Sequence, residues 1–149
     1  MKTLRPSLRS PLRSIFFAAA LACAGGALAS ASNSPDDIAQ RLTALSLAGT
    51  PEPAAGDPRV LETRKLLDKA VKQTREEPLA VAAACQRYVG HLHDSAQIRA
   101  TPLELLAALV AHGKAGQPMS DTLQSYVAAR KAAPGRTHGE AMSALAARR

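Results

Sequence analysis

His91, His93 and Asp94 place three metal-ligating side chains within four residues, and Cys85 lies six residues upstream. Two kinds of chemistry are open to such a group. Imidazoles can coordinate a transition metal, or a thiolate can attack with a histidine as its base. Helical geometry argues against the first. Residues two apart on a helix diverge by about 200°, so His91 and His93 cannot close on one ion from the same helix. They would converge only if the helix frays at Gly90, or if folding brings His112 or His138 alongside. The simpler reading is two surface histidines near a helix end, where the negative pole of the dipole favours them.

Cys85 belongs to the stripe Val81, Cys85, Tyr88, Leu92, whose i, i+4, i+7, i+11 spacing marks a packed helix face. A cysteine there is expected to fill the core rather than to react. Glu76 and Glu77 are adjacent, diverge by about 100° on a helix, and stand beside Pro78, which suits a solvated end better than an acid–base pair. The sequence contains no G-x-S-x-G, H-E-x-x-H, C-x-x-C or phosphate-binding loop. It makes no positive case for an enzyme, and no cofactor is expected.

Lys65, Lys69 and Lys72 form a basic row, with Arg64 and Arg75 nearby. Such a row could face anionic lipid headgroups or an acidic partner. Glu62 and Glu76 dilute it, and Asp68 and Lys72 are spaced as an i, i+4 ion pair, so a solvated face is the plainer expectation.

The elements that must position these residues begin after an export leader. Lys2, Arg5, Arg9 and Arg13 precede an apolar run of about ten residues from Ile15 to Ala24. That is the length of a signal-peptide core, well short of the roughly 20 residues of a membrane span. Gly25-Gly26 and Ala27-Leu28-Ala29 then supply a helix breaker and a small-x-small cleavage signature, with Ser30 as the expected mature start and Ser32 as a second site. An alternative is lipidation at Cys23, behind Ala20-Leu21-Ala22, where the small residue before the thiol fits but the leucine stands one place late.

Removing the leader takes four cations and lowers the formal net charge from +7 to +3. It also removes both phenylalanines, leaving Tyr88 and Tyr126 as the only aromatic rings. With so little charge and so few rings to stack on bases, nucleic acid is not an expected partner. Cys85 becomes the only mature cysteine, so no intramolecular disulfide can form.

The mature chain reads as a series of helix starts. Ser34-Pro35-Asp36-Asp37 offers an N-cap, a proline at the first helical position and two acids against the positive dipole end. Ile38, Leu42 and Leu45 follow at helical spacing, and Gly49 is placed to close the helix. Residues 30–48 thus form a tail and an amphipathic helix, and 49–57, rich in proline and glycine, a linker. A helical bundle is expected over 58–149. Its helices start at Asp57-Pro58, at Glu77-Pro78, at the capping box Thr101-Pro102-Leu103-Glu104, at Ser120-Asp121, and at the second box Thr137-His138-Gly139-Glu140. The helix that starts at Glu77-Pro78 reads to near Asp94-Ser95. The run after Pro102, Leu105 to Ala111, is apolar on every side and should sit at the centre. No β-branched alternation marks a strand.

The expected fold is all-α, a small bundle of five or six short helices with an Ala/Leu-rich core, after a cleaved signal peptide. The expected function is that of an exported, non-enzymatic helical protein of the bacterial envelope. It would act by contact with another envelope protein, as an adaptor, assembly factor or inhibitor in the periplasm or outside the cell. Ile38, Leu42 and Leu45 are the first docking residues to consider, although the same helix could fold back on its own bundle. The alternatives are a periplasmic metal-binding module using His91 and His93, or a lipoprotein anchored to the membrane through Cys23. Membrane association otherwise rests on the row Lys65, Lys69, Lys72.

Overall fold

Four of the helices start with a proline, because proline's fixed φ suits the first helical position and its missing N–H is not needed there. In the computed structural model, which describes residues 33–47 and 50–148, these are α1 (Pro35–Ser46), α2 (Pro58–Thr74), α3 (Pro78–Ala96) and α4 (Pro102–His112). Two further helices, α5 (Met119–Ala132) and α6 (His138–Ala146), complete the described chain. The expected leader, Cys23, the mature start and Gly49 lie outside the described residues.

The caps that the sequence advertised before α1, α4 and α6 are formed, although the Thr101–Glu104 box closes by half only, because the Glu104 carboxylate pairs with Arg130. Ser34, Thr101 and Thr137 each accept the backbone N–H three residues on, from Asp37, Glu104 and Glu140. Thr137 and Glu140 close a reciprocal capping box, and Thr137 holds the Glu140 carboxyl below its ordinary pKa. Asp57 accepts from the Arg59 backbone and guanidinium, which brings its carboxyl down to about 2. α5 differs from expectation. It begins at Met119 behind Pro118, without a side-chain cap, and the Ser120 hydroxyl turns to the Asp121 carboxylate 3.3 Å away. The Asp121 N–H is already engaged by the Pro118 carbonyl, so the chain enters the helix before the serine.

α4 is the hub. Leu105, Leu106, Ala108 and Leu109 are fully buried, and α4 packs against each of the other five helices. Around it Leu42, Leu67, Val81, Cys85, Leu92, Leu123 and Tyr126 complete one core, in which Tyr126 is the largest fully buried side chain. Burial of one such leucine is worth roughly 1.5–3 kcal/mol, which is why a helix apolar on all sides settles at the centre.

α1 packs chiefly on α2. A buried hydroxyl pair joins them, Thr43 Oγ1 to Thr63 Oγ1 at 2.8 Å. The connection between the helices is also tied down: Pro53 is buried, and its carbonyl accepts from Gln40 Nε2 at 2.9 Å. At its other end the Ser46 hydroxyl accepts the Leu103 N–H, fixing α1 to the start of α4.

Two helices end in ways the sequence does not advertise. Arg75 closes α2 at φ 61° and Gln97 closes α3 at φ 53°, both in the left-handed region usually reserved for glycine. Each conformation costs roughly 1–2 kcal/mol for a residue with a Cβ. At Gln97 the cost is offset by bonds from the Gln97 and Ile98 N–H groups to the carbonyls of His93 and Leu92.

Candidate functional site

The two neighbouring histidines are exposed on α3 and face different surfaces. His91 lines a cleft of about 290 Å³ between α3 and α5, with Arg87, Tyr88, Met119 and Ser120. His93 lines another cleft, with Leu45, Val89 and Arg99. Neither imidazole that folding could have brought alongside joins them: His138 is engaged with Tyr126, and His112 lines a separate cleft with Lys114, Gln117 and Ser125. Among the described residues no three His, Cys, Asp or Glu side chains converge to hold an ion.

Cys85 is fully buried beneath α3, and burial pushes its thiol up to about 12. A thiol enclosed in this way packs as a small core residue. Val81 and Leu92 are buried with it, and Tyr88 lies at the edge, half-exposed.

Lys65, Lys69 and Lys72 are exposed along one side of α2. Arg64 beside them is divided between Asp36 and Asp68, each at 3.4 Å. Pairs of this exposure contribute little to stability.

A buried polar cluster joins α4, α5 and α6. The Arg130 guanidinium is only 4% exposed, and its Nη2 donates to the Arg99 carbonyl at 2.9 Å and to Glu104 Oε2 at 3.2 Å. Its Nε is buried without a hydrogen-bond partner. One turn earlier on α5, the Tyr126 hydroxyl meets His138 Nδ1 at 2.8 Å. Burial raises the Tyr126 pKa, reinforced by Glu104 and opposed by Arg130. Burial lowers that of His138, with Glu104 opposing and Arg130 reinforcing. A phenol held protonated and a histidine held neutral are a structural pair here, each satisfying the other, while Arg130 anchors the α3–α4 connection through Arg99. The only hint in the sequence was spacing: Arg130 extends the buried stripe Leu123, Tyr126, Val127 by one more turn.

The docking residues divide. Ile38 and Leu42, 3% and 0% exposed, point into this chain's own core because α1 lies across α2 and α3. Leu45, 53% exposed, alone of the three stands at the surface. All three nevertheless border one apolar seam. A cleft of about 160 Å³ between α1 and α3 is lined by Ile38, Leu42, Leu79 and Gln86. Two more, of about 300 and 320 Å³, share Leu45, Val89 and Ala100 and reach Pro102 and Ile98. Leu79, 48% exposed, stands at the other end. That leucine was not singled out in the sequence, because a residue at the first turn of a helix shows no periodicity to mark its face.

The seam is therefore the most extended apolar surface among the clefts described, and its walls are held by α1 through Ser46 and by the α3–α4 connection through Arg130. No protein-family model, no curated protein and no solved structure matches this chain.

Proposed function

We propose that this protein is exported to the bacterial envelope and works there without catalysis, by docking another envelope protein as an adaptor, assembly factor or inhibitor. The leader pattern supports export to the periplasm, with cleavage before Ser30. The observation that carries the docking role is the exposure of large apolar side chains beside a groove. Leu45 and Leu79 are about half-exposed at the two ends of the α1–α3 seam, where a self-contained bundle gains nothing from leaving them in water. The groups with chemical potential are occupied internally: the Cys85 thiol by burial, Tyr126 and His138 by each other, Arg130 by Glu104 and the Arg99 carbonyl.

Affinity purification of the tagged full chain from envelope fractions tests the role. Wild type is run beside Leu45→Asp and Leu61→Asp, both at exposed positions. A protein recovered in stoichiometric amount with wild type and lost with one variant, at unchanged circular-dichroism helix content, is the expected result. Recovery of the chain alone from every fraction would overturn the reading.

A further inference from the structure

We infer that the α1–α3 seam receives an acidic amphipathic helix from the partner protein, an assignment that rests on the docking role proposed above and names its surface and chemistry. The clefts adjoin: the smallest shares Gln86 with one of the larger two, and those share Leu45, Val89 and Ala100. They follow α3, whose 19 residues span about 28 Å at a rise of 1.5 Å per residue. A partner helix of four to five turns matches that length, and anchors at i, i+3, i+4 and i+7 would reach successive parts of the floor.

Charge selects the partner. The formally charged residues that line the three clefts are two arginines, Arg41 and Arg99, with His93 beside Arg99, and no carboxylate lines them. A helix with Asp and Glu flanking its apolar stripe complements that rim. A second copy of this chain does not. The other large hydrophobic it exposes among the described residues, Leu61, lies beside the cationic row of Lys65 and Lys69, of the same sign as the rim.

Gly90 supplies an independent reason for a helix. It lies on the α3 face of Leu79, Ala83 and Gln86, spaced by four, three and four residues. A Cβ built there would meet nothing within 4 Å, so this chain's own packing does not call for a glycine. Yet a glycine in a helix interior costs about 1 kcal/mol relative to alanine. A bare backbone on an open face permits close approach by another helix.

The test is site-specific photo-crosslinking of the full chain in its own envelope, with the reactive residue at position 45, 79 or 61, and mapping of the adducts by mass spectrometry. Adducts from 45 and 79, but not 61, to an acidic amphipathic helical segment are expected. Arg99→Glu should lower their yield about tenfold, since like charges across an interface cost more than the 1.4 kcal/mol that factor represents. Gly90→Ala should lower the yield several-fold while the protein itself becomes more stable. Seam adducts to a second copy, to lipid or to a basic segment would overturn the assignment, as would yields indifferent to Arg99→Glu. Adducts at 61 with a silent seam would overturn the seam and leave the docking role standing. Silence at all three positions would remove both.

Discussion

The Tyr126 hydroxyl lies 2.8 Å from His138 Nδ1, joining the middle of α5 to the first residue of α6. The rings are tilted at 55° with centroids 5.7 Å apart, so the contact is a hydrogen bond rather than a stack. Beside it, Arg130 reaches Glu104 on α4 and the carbonyl of Arg99. Four polar residues from three helices thus hold the C-terminal half of the bundle together and fix one wall of the α1–α3 seam.

His138 makes stability depend on pH. Burial lowers its pKa from the ordinary 6.5, so the folded protein binds this proton less readily than the unfolded chain. Its contribution is fully present above the unfolded value and is lost as pH falls through the depressed folded one. Glu104 opposes the shift and Arg130 reinforces it. The lowered carboxylates Asp57 and Glu140 lose their contributions below their ordinary values of 3.8 and 4.5, in a separate window. Urea midpoints should fall between about pH 7.5 and about pH 5, and His138→Gln should flatten that slope. An equal slope in the variant would place its origin elsewhere.

The Arg130–Glu104 pair should be asymmetric. Glu104→Ala leaves a cation that is 4% exposed without its carboxylate and should cost about 2–3 kcal/mol, somewhat less than for a fully enclosed pair because Glu104 is 28% exposed. Arg130→Met keeps most of the buried volume, and Glu104 retains access to water, so its cost should be nearer 1 kcal/mol. Chemical denaturation of the two variants gives the order, and a reversed order would mean that the arginine contributes mainly through its bond to the Arg99 carbonyl.

Two glycines should respond oppositely to alanine. At Gly90 the added Cβ meets nothing, and Gly90→Ala should stabilise by about 0.5–1 kcal/mol. At Gly113 it would stand 2.5 Å from the Leu109 carbonyl oxygen, a backbone atom that accepts the Gly113 N–H. Gly113→Ala should therefore destabilise. Thermal midpoints of the two variants measure both.

On α1, burial separates neighbours one turn apart. Leu42→Ala should cost about 2–5 kcal/mol, and Leu42→Asp should unfold the bundle, because Leu42 is fully enclosed. Leu45→Asp should change stability by less than about 0.5 kcal/mol. Circular dichroism with urea titration distinguishes the two. Similar losses at both positions would mean that Leu45 is covered in solution.

The mature end is decided by an intact mass of protein from the envelope. A soluble species starting at Ser30 or Ser32 is expected. A species starting at Cys23 with added acyl mass, and requiring detergent, would make the chain a lipoprotein and place its docking surface at the membrane.

Helix starts were legible in the sequence because capping is local. A Ser, Thr or Asp with a proline after it acts within three or four residues, and nothing distant is needed to form it. The α4 run could likewise be placed at the centre from its apolar residues alone. The start of α5 was misjudged because Ser120 and Asp121 satisfy each other, leaving Pro118 to precede the helix.

Only the tertiary structure decided the rest. Whether Ile38, Leu42 and Leu45 face inward or outward depends on where α2 and α3 lie, and periodicity identifies a face without saying what covers it. Arg130 meets Glu104 across 26 positions, and Arg75 and Gln97 adopt left-handed turns without glycine. The seam has no motif of its own: it exists because α1, α3 and the start of α4 pack without filling the space between them. Local propensity specified the helices, and long-range packing settled which of their side chains remain open to a partner.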